Sequence, residues 1–315
     1  MNFLFLMDDL SSIIYEKDTT FMLMLGADRR GHDVYFLPKG GIIRKEGQTF
    51  FHTVKLTPQK NPQKPFCRHQ PITLSENETD IIFIRPDPPF DEEYLINTWL
   101  LDLINKEIAI INHPAGIRSV NEKIWISQFK EITPPTFIGR NKNDILSFLE
   151  KHGEVIVKPI NSYGGQSIFF ITRADTNTSV ILETMTSNWR KDIILQKYLP
   201  EAEKGDKRIL LLNGEILGAV LRIHSPNDHR NNLFCGGKAT KTVITDRDKK
   251  IVNILRPYLI KLGLYFVGID IIGDYLIEVN VTSPTCLQEI NKLYSVSLED
   301  KIILFAEELI KKQKS

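Results

Sequence analysis

Cysteine is scarce in this chain. Cys67, Cys235 and Cys286 are three among 315 residues, an odd count with no framework spacing. That excludes a disulfide scaffold and suits a reducing compartment. Net charge is nearly absent, because 40 Lys and Arg face 39 Asp and Glu. No general attraction to nucleic acid or to an anionic membrane is therefore expected. Long apolar runs are missing as well. None approaches the roughly 20 residues of a membrane span. The opening NFLFLMDD meets acid too soon for a signal peptide. A cytoplasmic protein is expected, and 315 residues allow two or three compact units.

Several chemical fingerprints are absent too. There is no G-x-x-x-x-G-K-[ST] and no G-x-G-x-x-G, so neither a P-loop nor a dinucleotide fold is indicated. No Cys/His spacing suits zinc, and no nucleophile elbow announces a Ser-His-Asp enzyme.

What is present has an α/β order. Strands are expected at 2–7, in DVYFL, in DIIFIR and in IAII, with helices over 18–30 and 91–106, a hairpin at Glu46-Gly47 and a Pro-rich loop over 57–71. Alternation of this kind predicts a parallel sheet flanked by helices, with ligands at the carboxyl ends of its strands. Beyond residue 115 the pattern predicts helices at 119–129, 144–152 and 178–187, and strands in EVIVK, IFFI and DIILQKYL. A third region carries a hairpin at Asn213-Gly214, a long loop over 224–240, helix 246–262 bent at Pro257 and a final helix from Ser297.

The segment GIDIIGDYLIEVN, residues 268–280, sets Asp270, Glu278 and Asn280 into an otherwise apolar hairpin. Glu278 and Asn280 share a face, about 7 Å apart. A two-residue loop would send Asp270 to the other face, whereas a three-residue loop or a bulge would join all three. Together they make a partial shell of hard oxygens, suited to Mg²⁺ completed by phosphate and water. The plainer reading is a sheet with its polar face in water.

Other segments admit the same two kinds of reading. NSYGGQS, with Gly164 and Gly165, follows a strand carrying Lys158, and such a loop can wrap phosphate oxygens or simply turn a hairpin. Lys123 alone reads as a solvated helix residue. Arg222, with Arg230 and Lys238 in the long loop, can clamp a transferring phosphoryl group or be surface charge. Their order along the chain has the logic of phosphoryl transfer between two lobes.

With these residues the sequence resembles the ATP-grasp ligases, and among them the bacterial-type glutathione synthetase family. DPPFD (87–91), NEK (121–123), KP (158–159), GDKR (205–208) and above all FVGIDIIGDYLIEVNVTSPTC (266–286) carry the resemblance, which runs essentially end to end. It implies an N-terminal Rossmann-like parallel-sheet subdomain (1–118), a central α+β lid subdomain (119–200) and a C-terminal antiparallel-sheet subdomain (201–315). It implies that Asp270, Glu278 and Asn280 hold two Mg²⁺, or Mn²⁺ in their place. Lys123, Lys158, Gly164, Gly165, Gln196, Lys197, Tyr198, Leu199 and Asp206 would bind ATP. Arg208, Arg222 and Arg230 would be catalytic. Arg85, Ser283, Pro284 and Thr285 would meet the peptide.

The implied reaction ligates γ-glutamylcysteine to glycine through an acylphosphate, with a homo-oligomer, a tetramer in the family, as the assembly. Cys235 and Cys286 are read as structural. The family usually has Lys where Pro86 stands, D-G-x-G-G where Asn161-Ser162-Tyr163 precede the glycines, and a small residue at Cys235. The alternatives are another ATP-grasp carboxylate–amine ligase, joining D-alanine or extending a protein tail with glutamate, and a non-catalytic ATP-binding regulatory module.

Overall fold

The computed structural model describes residues 1–224 and 236–314. Its first sheet is built on β1 (Asn2–Met7), β2 (Asp33–Pro38), β6 (Ile81–Ile84) and β7 (Ala109–Ile111), all parallel, in the order β2-β1-β6-β7. Phe3, Leu4, Phe5 and Leu6 are wholly buried, as are Ile81, Ile82 and Phe83. Continuous apolar runs of this kind belong to strands covered on both faces. One cover is α1 (Thr19–Arg29), whose N-terminus is capped by the Asp18 carboxylate accepting from Phe21 N. Another helix, α2 (Glu92–Leu101), is capped the same way by Asp91.

The sheet is extended by antiparallel β3 (Ile42–Lys45), β4 (Gln48–Pro58) and β5 (Phe66–Ser75). Glu46 and Gly47, both at positive φ, form the two-residue turn between β3 and β4. The Pro-rich segment expected as loop over 57–71 is largely strand. Its Pro71 is tolerated because β5 pairs only with β4 and is an edge.

The helix expected at 119–129 is replaced by α3 (Pro114–Ser119) and a short 3₁₀ turn over Trp125–Gln128. Pro114 suits the first helical position, and the Asn121 side chain accepts from Lys123 N and Ile124 N between the two pieces. The central antiparallel sheet runs β10 (Phe169–Thr172), β9 (Glu154–Pro159), β11 (Ile193–Lys197) and β8 (Thr136–Gly139). It is backed by α4 (Lys142–His152), closed by Gly153 at φ +73°, and α5 (Thr178–Met185). β8, just after the TPP turn, is too short to be read from sequence alone.

The last sheet is antiparallel, in the order β14 (Lys238–Thr240), β13 (Glu215–Ile223), β12 (Asp206–Leu212), β15 (Phe266–Ile272) and β16 (Tyr275–Asn280). Asn213 and Gly214 turn β12 into β13, both at positive φ. Lys238–Thr240 was expected as loop, whereas Arg230 and Cys235 lie outside the described residues. Around this sheet lie α6 (Asp246–Lys261), which contains Pro257, α7 (Leu287–Tyr294) and α8 (Leu298–Gln313). α7 was not anticipated by the sequence reading. Among the described residues no helix is long and apolar enough to cross a membrane.

The chain's C-terminus returns to its N-terminus, since α8 packs on α1. Arg30 donates to both Glu307 oxygens, at 2.6 and 2.8 Å, and His32 Nε2 lies 2.7 Å from Glu307 Oε1. Arg30 holds the Glu307 carboxyl down at about 2, against a partial burial that raises it, and His32 adds to the lowering. The Glu307 side chain is only 10% exposed, but the Arg30 side chain is 36% exposed, so screening by water around the guanidinium keeps the contribution small.

Glu307→Gln should lower unfolding stability by about 1 kcal/mol near neutral pH. A carboxyl depressed in the folded state stabilises above its ordinary value of 4.5 and loses that effect as pH falls toward 2. Denaturation midpoints of the two proteins should therefore be offset above pH 4.5 and converge below it.

Candidate active site

One face of the third sheet gathers the charges. Along β12, Asp206 and Arg208 are two residues apart and share that face. Asp206 stands opposite Arg222 on β13, and Arg208 opposite Asp270 on β15. The next pairing depends on an irregularity. Gly273 and Asp274 form a two-residue turn, with Ile272 opposite Tyr275 and Ile271 opposite Leu276. Between Asp270 and Ile271 the register shifts, so that Asp270 faces Glu278 and Gly268 faces Asn280. The extra residue is Ile277, a β-bulge that puts all three oxygen-bearing side chains on one surface.

Buried charge on that surface is compensated residue by residue. Arg208 donates to Asp270 from Nε at 2.5 Å and from Nη2 at 2.8 Å. Arg222 donates to Asp206 at 2.7 and 2.6 Å, and its Nη2 lies 3.0 Å from Asp270 Oδ2. Burial would raise the Asp270 carboxyl, but the two guanidinium groups hold it well below the usual carboxylate range. Gly268 makes room for this. A Cβ there would stand 3.2 Å from Pro284 Cβ and 3.3 Å from Arg208 Cδ.

Opposite lies the central sheet. Lys158 on β9 is 5% exposed, and its Nζ donates to Gln196 Oε1 at 3.0 Å. Gln196 in turn donates to Thr136 Oγ1. Desolvation lowers the Lys158 pKa to about 8, only partly offset by Glu278. An ammonium left with a neutral acceptor is suited to receiving an anion. The loop after β9 carries Gly164 and Gly165 at φ +63° and +78°, and a Cβ at Gly164 would meet nothing within 4 Å. Lys123 joins the lobes, with Nζ 3.0 Å from Glu278 Oε1 and donating to Ser162 O.

These residues line a cavity of about 320 Å³. Its walls include Lys123, Lys158, Gln196, Asp206, Arg208 and Arg222, and Gly164, Gly165, Asp270, Glu278 and Asn280 also face it. Ile156, Ile168, Ile272 and Ile277 give it an apolar wall that sequence reasoning missed. Ser283 and Thr285 also line it, Thr285 Oγ1 lying 3.4 Å from Arg208 Nη1, whereas Pro284 and Arg85 do not, with Arg85 Nη2 donating to Pro284 O at 3.0 Å. Lys197, Tyr198 and Leu199 follow Gln196 but do not line the cavity.

Two further carboxylates went unread. Glu122 Oε1 accepts from Val281 N, Thr282 N and Thr282 Oγ1 at 2.8, 3.2 and 3.0 Å. Burial, then the Glu278 charge, raises its pKa. Asp87 lines the cavity too, its carboxylate met by the Ser283 hydroxyl. Only the family resemblance of NEK and DPPFD pointed to these segments.

Asp270, Glu278 and Asn280 fit a hard divalent cation: two carboxylates and an amide on one face, in a cavity shared with Lys158, Arg208 and Arg222. Among the described residues no group of three or more His, Cys, Asp or Glu could hold a metal alone. Such an ion would therefore share its coordination with a ligand.

Comparison with known proteins agrees. Residues 1–118 match the family profile of the prokaryotic glutathione synthetase N-terminal domain, and residues 122–295 that of its ATP-grasp domain. Glutathione synthetase of Gloeobacter violaceus is 38% identical over 312 residues, covering 96% of this chain and 95% of that protein. That of Buchnera aphidicola subsp. Acyrthosiphon pisum is 40% identical over 309 residues, covering 97% and 96%. Among solved structures, a D-cycloserine synthetase superposes with a TM-score of 0.66 at 14% identity, covering 98% of this chain and 99% of that one. This last likeness shows the fold alone. Over both domains and nearly its whole length, the chain belongs to the prokaryotic glutathione synthetase family, with the ATP-grasp fold.

Proposed function

We propose that the cavity joins γ-glutamylcysteine to glycine, using ATP, to give glutathione, ADP and phosphate. The observation that carries this reading is the bulge at Ile277, which aligns Asp270, Glu278 and Asn280 beneath Lys158 and beside Arg208. A D-alanine ligase, a protein-tail glutamate ligase or a regulatory module would need an ATP site, but each departs from the family matched over both domains.

A carboxylate is a poor electrophile, so the cysteinyl carboxylate first takes the γ-phosphoryl group of ATP. The glycine amine then attacks the acylphosphate carbonyl and phosphate leaves. Lys123, Lys158 and the Gly164-Gly165 loop hold the nucleotide phosphates. Gln196 binds at the nucleotide end, with Lys197, Tyr198 and Leu199 continuing that strand end. Arg222 is held by Asp206, and Arg208 by Asp270, so both cations are fixed where charge builds on the transferring group. Ser283 and Thr285 meet the peptide, and Arg85 positions them through Pro284. Asp270, Glu278 and Asn280 would hold Mg²⁺, as two ions, or Mn²⁺ in its place, and the metal would supply neutralisation of phosphate charge. The assembly is a homo-oligomer.

ADP release should require γ-glutamylcysteine and glycine together, D-alanine failing as a replacement. It should stop on chelation of the metal and fall at least about 100-fold in Asp270→Asn. ATP binding without substrate-dependent turnover would overturn the ligase reading.

A second expectation concerns Lys158. Its cationic form dominates below about 8 and is lost above it. ADP affinity measured by calorimetry should weaken as pH rises from 8 to 9.5. Lys158→Arg, whose side chain stays charged, should flatten that dependence.

A further inference from the structure

Lys158, Lys123, Arg208 and Arg222 line the cavity together with Asp87, Pro88 and Ser283. Arg208 Nη1 lies 3.4 Å from Thr285 Oγ1, and Ser283, two residues back in the same turn, meets Asp87. Most of the lining carboxylates are already engaged: Asp270 and Asp206 by arginines, Glu278 by Lys123, and Glu122 by the bonds to Val281 and Thr282. Asp87 is different. Its carboxylate is met by the Ser283 hydroxyl, and among the described residues no ion pair neutralises it.

The Asp87 backbone is fixed independently of its side chain. Asp87 N donates to Asp8 Oδ2 at 2.7 Å, and Asp8 Oδ1 lies 2.8 Å from Lys39 Nζ. Lys39 thus neutralises Asp8, which lets a second carboxylate stand close by without mutual repulsion. It also returns a cation to the strand end where Pro86 stands in place of the family's lysine. These residues sit at the carboxyl ends of three neighbouring parallel strands, where ligands of such sheets bind.

The donor substrate carries one cation at neutral pH, the α-ammonium of its γ-glutamyl residue, at the end remote from the cysteinyl carboxylate that reacts. With that carboxylate at the arginines, the ammonium reaches along the Ser283–Thr285 turn toward Asp87. We propose that Asp87 receives the α-ammonium of the γ-glutamyl donor and selects donors with a free amino group there. This rests on the ligase reading above. Asp87 is open to water, yet the concave wall around it raises its carboxyl pKa against the Ser283 hydrogen bond and Arg85, as expected of a charge short of a counterion.

The test compares γ-glutamylcysteine with glutarylcysteine, the same donor with hydrogen in place of the amino group. For the unaltered protein, kcat/KM should fall roughly 100-fold with glutarylcysteine. Asp87→Asn should lose a similar factor with the natural donor and then distinguish the two donors by less than about 3-fold, the coupling that a direct contact requires. Its KM for ATP should not change, and Asp87→Glu should keep most of the discrimination. If Asp87→Asn discriminates as the unaltered protein does, or if its KM for ATP rises in parallel, Asp87 does not hold the ammonium. Failure of the unaltered protein to turn over γ-glutamylcysteine with glycine would instead overturn the ligase reading, and this proposal with it.

Discussion

Asp270 accepts two hydrogen bonds from Arg208 and pairs with Arg222 through a contact of 3.0 Å, all three residues being buried. Much of the active-site face depends on this group. Breaking a buried pair by removing one partner costs about 3–5 kcal/mol, because the other charge is left uncompensated. Here two guanidinium groups depend on one carboxylate, and Arg222 is steadied further by Asp206. The arrangement is costly to desolvate, and its return is geometric: it fixes cations on strands at positions where phosphoryl charge can be met without reorganisation.

That network in turn needs the bulge. In a regular hairpin closed by Gly273 and Asp274, Asp270 would face Ile277 and project away from Glu278. Inserting Ile277 as an extra residue restores the shared face, and Ile277 itself becomes part of the apolar cavity wall. One local irregularity therefore serves both the three oxygen-bearing side chains and the apolar wall of the cavity. Bulges are frequent next to active sites for this reason.

How much of this the sequence reveals depends on how local the determining interaction is. Asn213-Gly214 and Glu46-Gly47 are legible because positive φ is demanded within two residues. The caps at Asp18 and Asp91 are legible because each bonds an amide three residues on. The face shared by Glu278 and Asn280 follows from strand periodicity, whereas the choice between turn and bulge at Asp270 needs the partner strand. The first part of β5 reads as loop because Pro71 and the prolines before the strand, Pro58, Pro62 and Pro65, look like breakers until its edge position is known. Glu122 shows the limit most clearly. Its partners lie 159 and 160 residues away, and nothing in the neighbouring sequence announces them.

Those distant bonds also explain how separate parts of the cleft are kept in step. Asn121 accepts from Lys123 N and Ile124 N, which pins one short segment. From that segment Glu122 reaches down to residues 281–282, immediately before the Ser283–Thr285 turn. Its neighbour Lys123 reaches to Glu278 and to the carbonyl of Ser162 in the glycine loop. Adjacent side chains on an extended or turning backbone point in different directions, so two consecutive residues can reach residues 281–282 and the glycine loop at once. Asn112 adds a third tie, bonding Phe266 and Val281 through both ends of its amide. A shift of the peptide turn would thus strain the same short segment that carries Lys123. One short stretch of chain is therefore tied at once to the strand end at 281–282, to Glu278 and to the glycine loop.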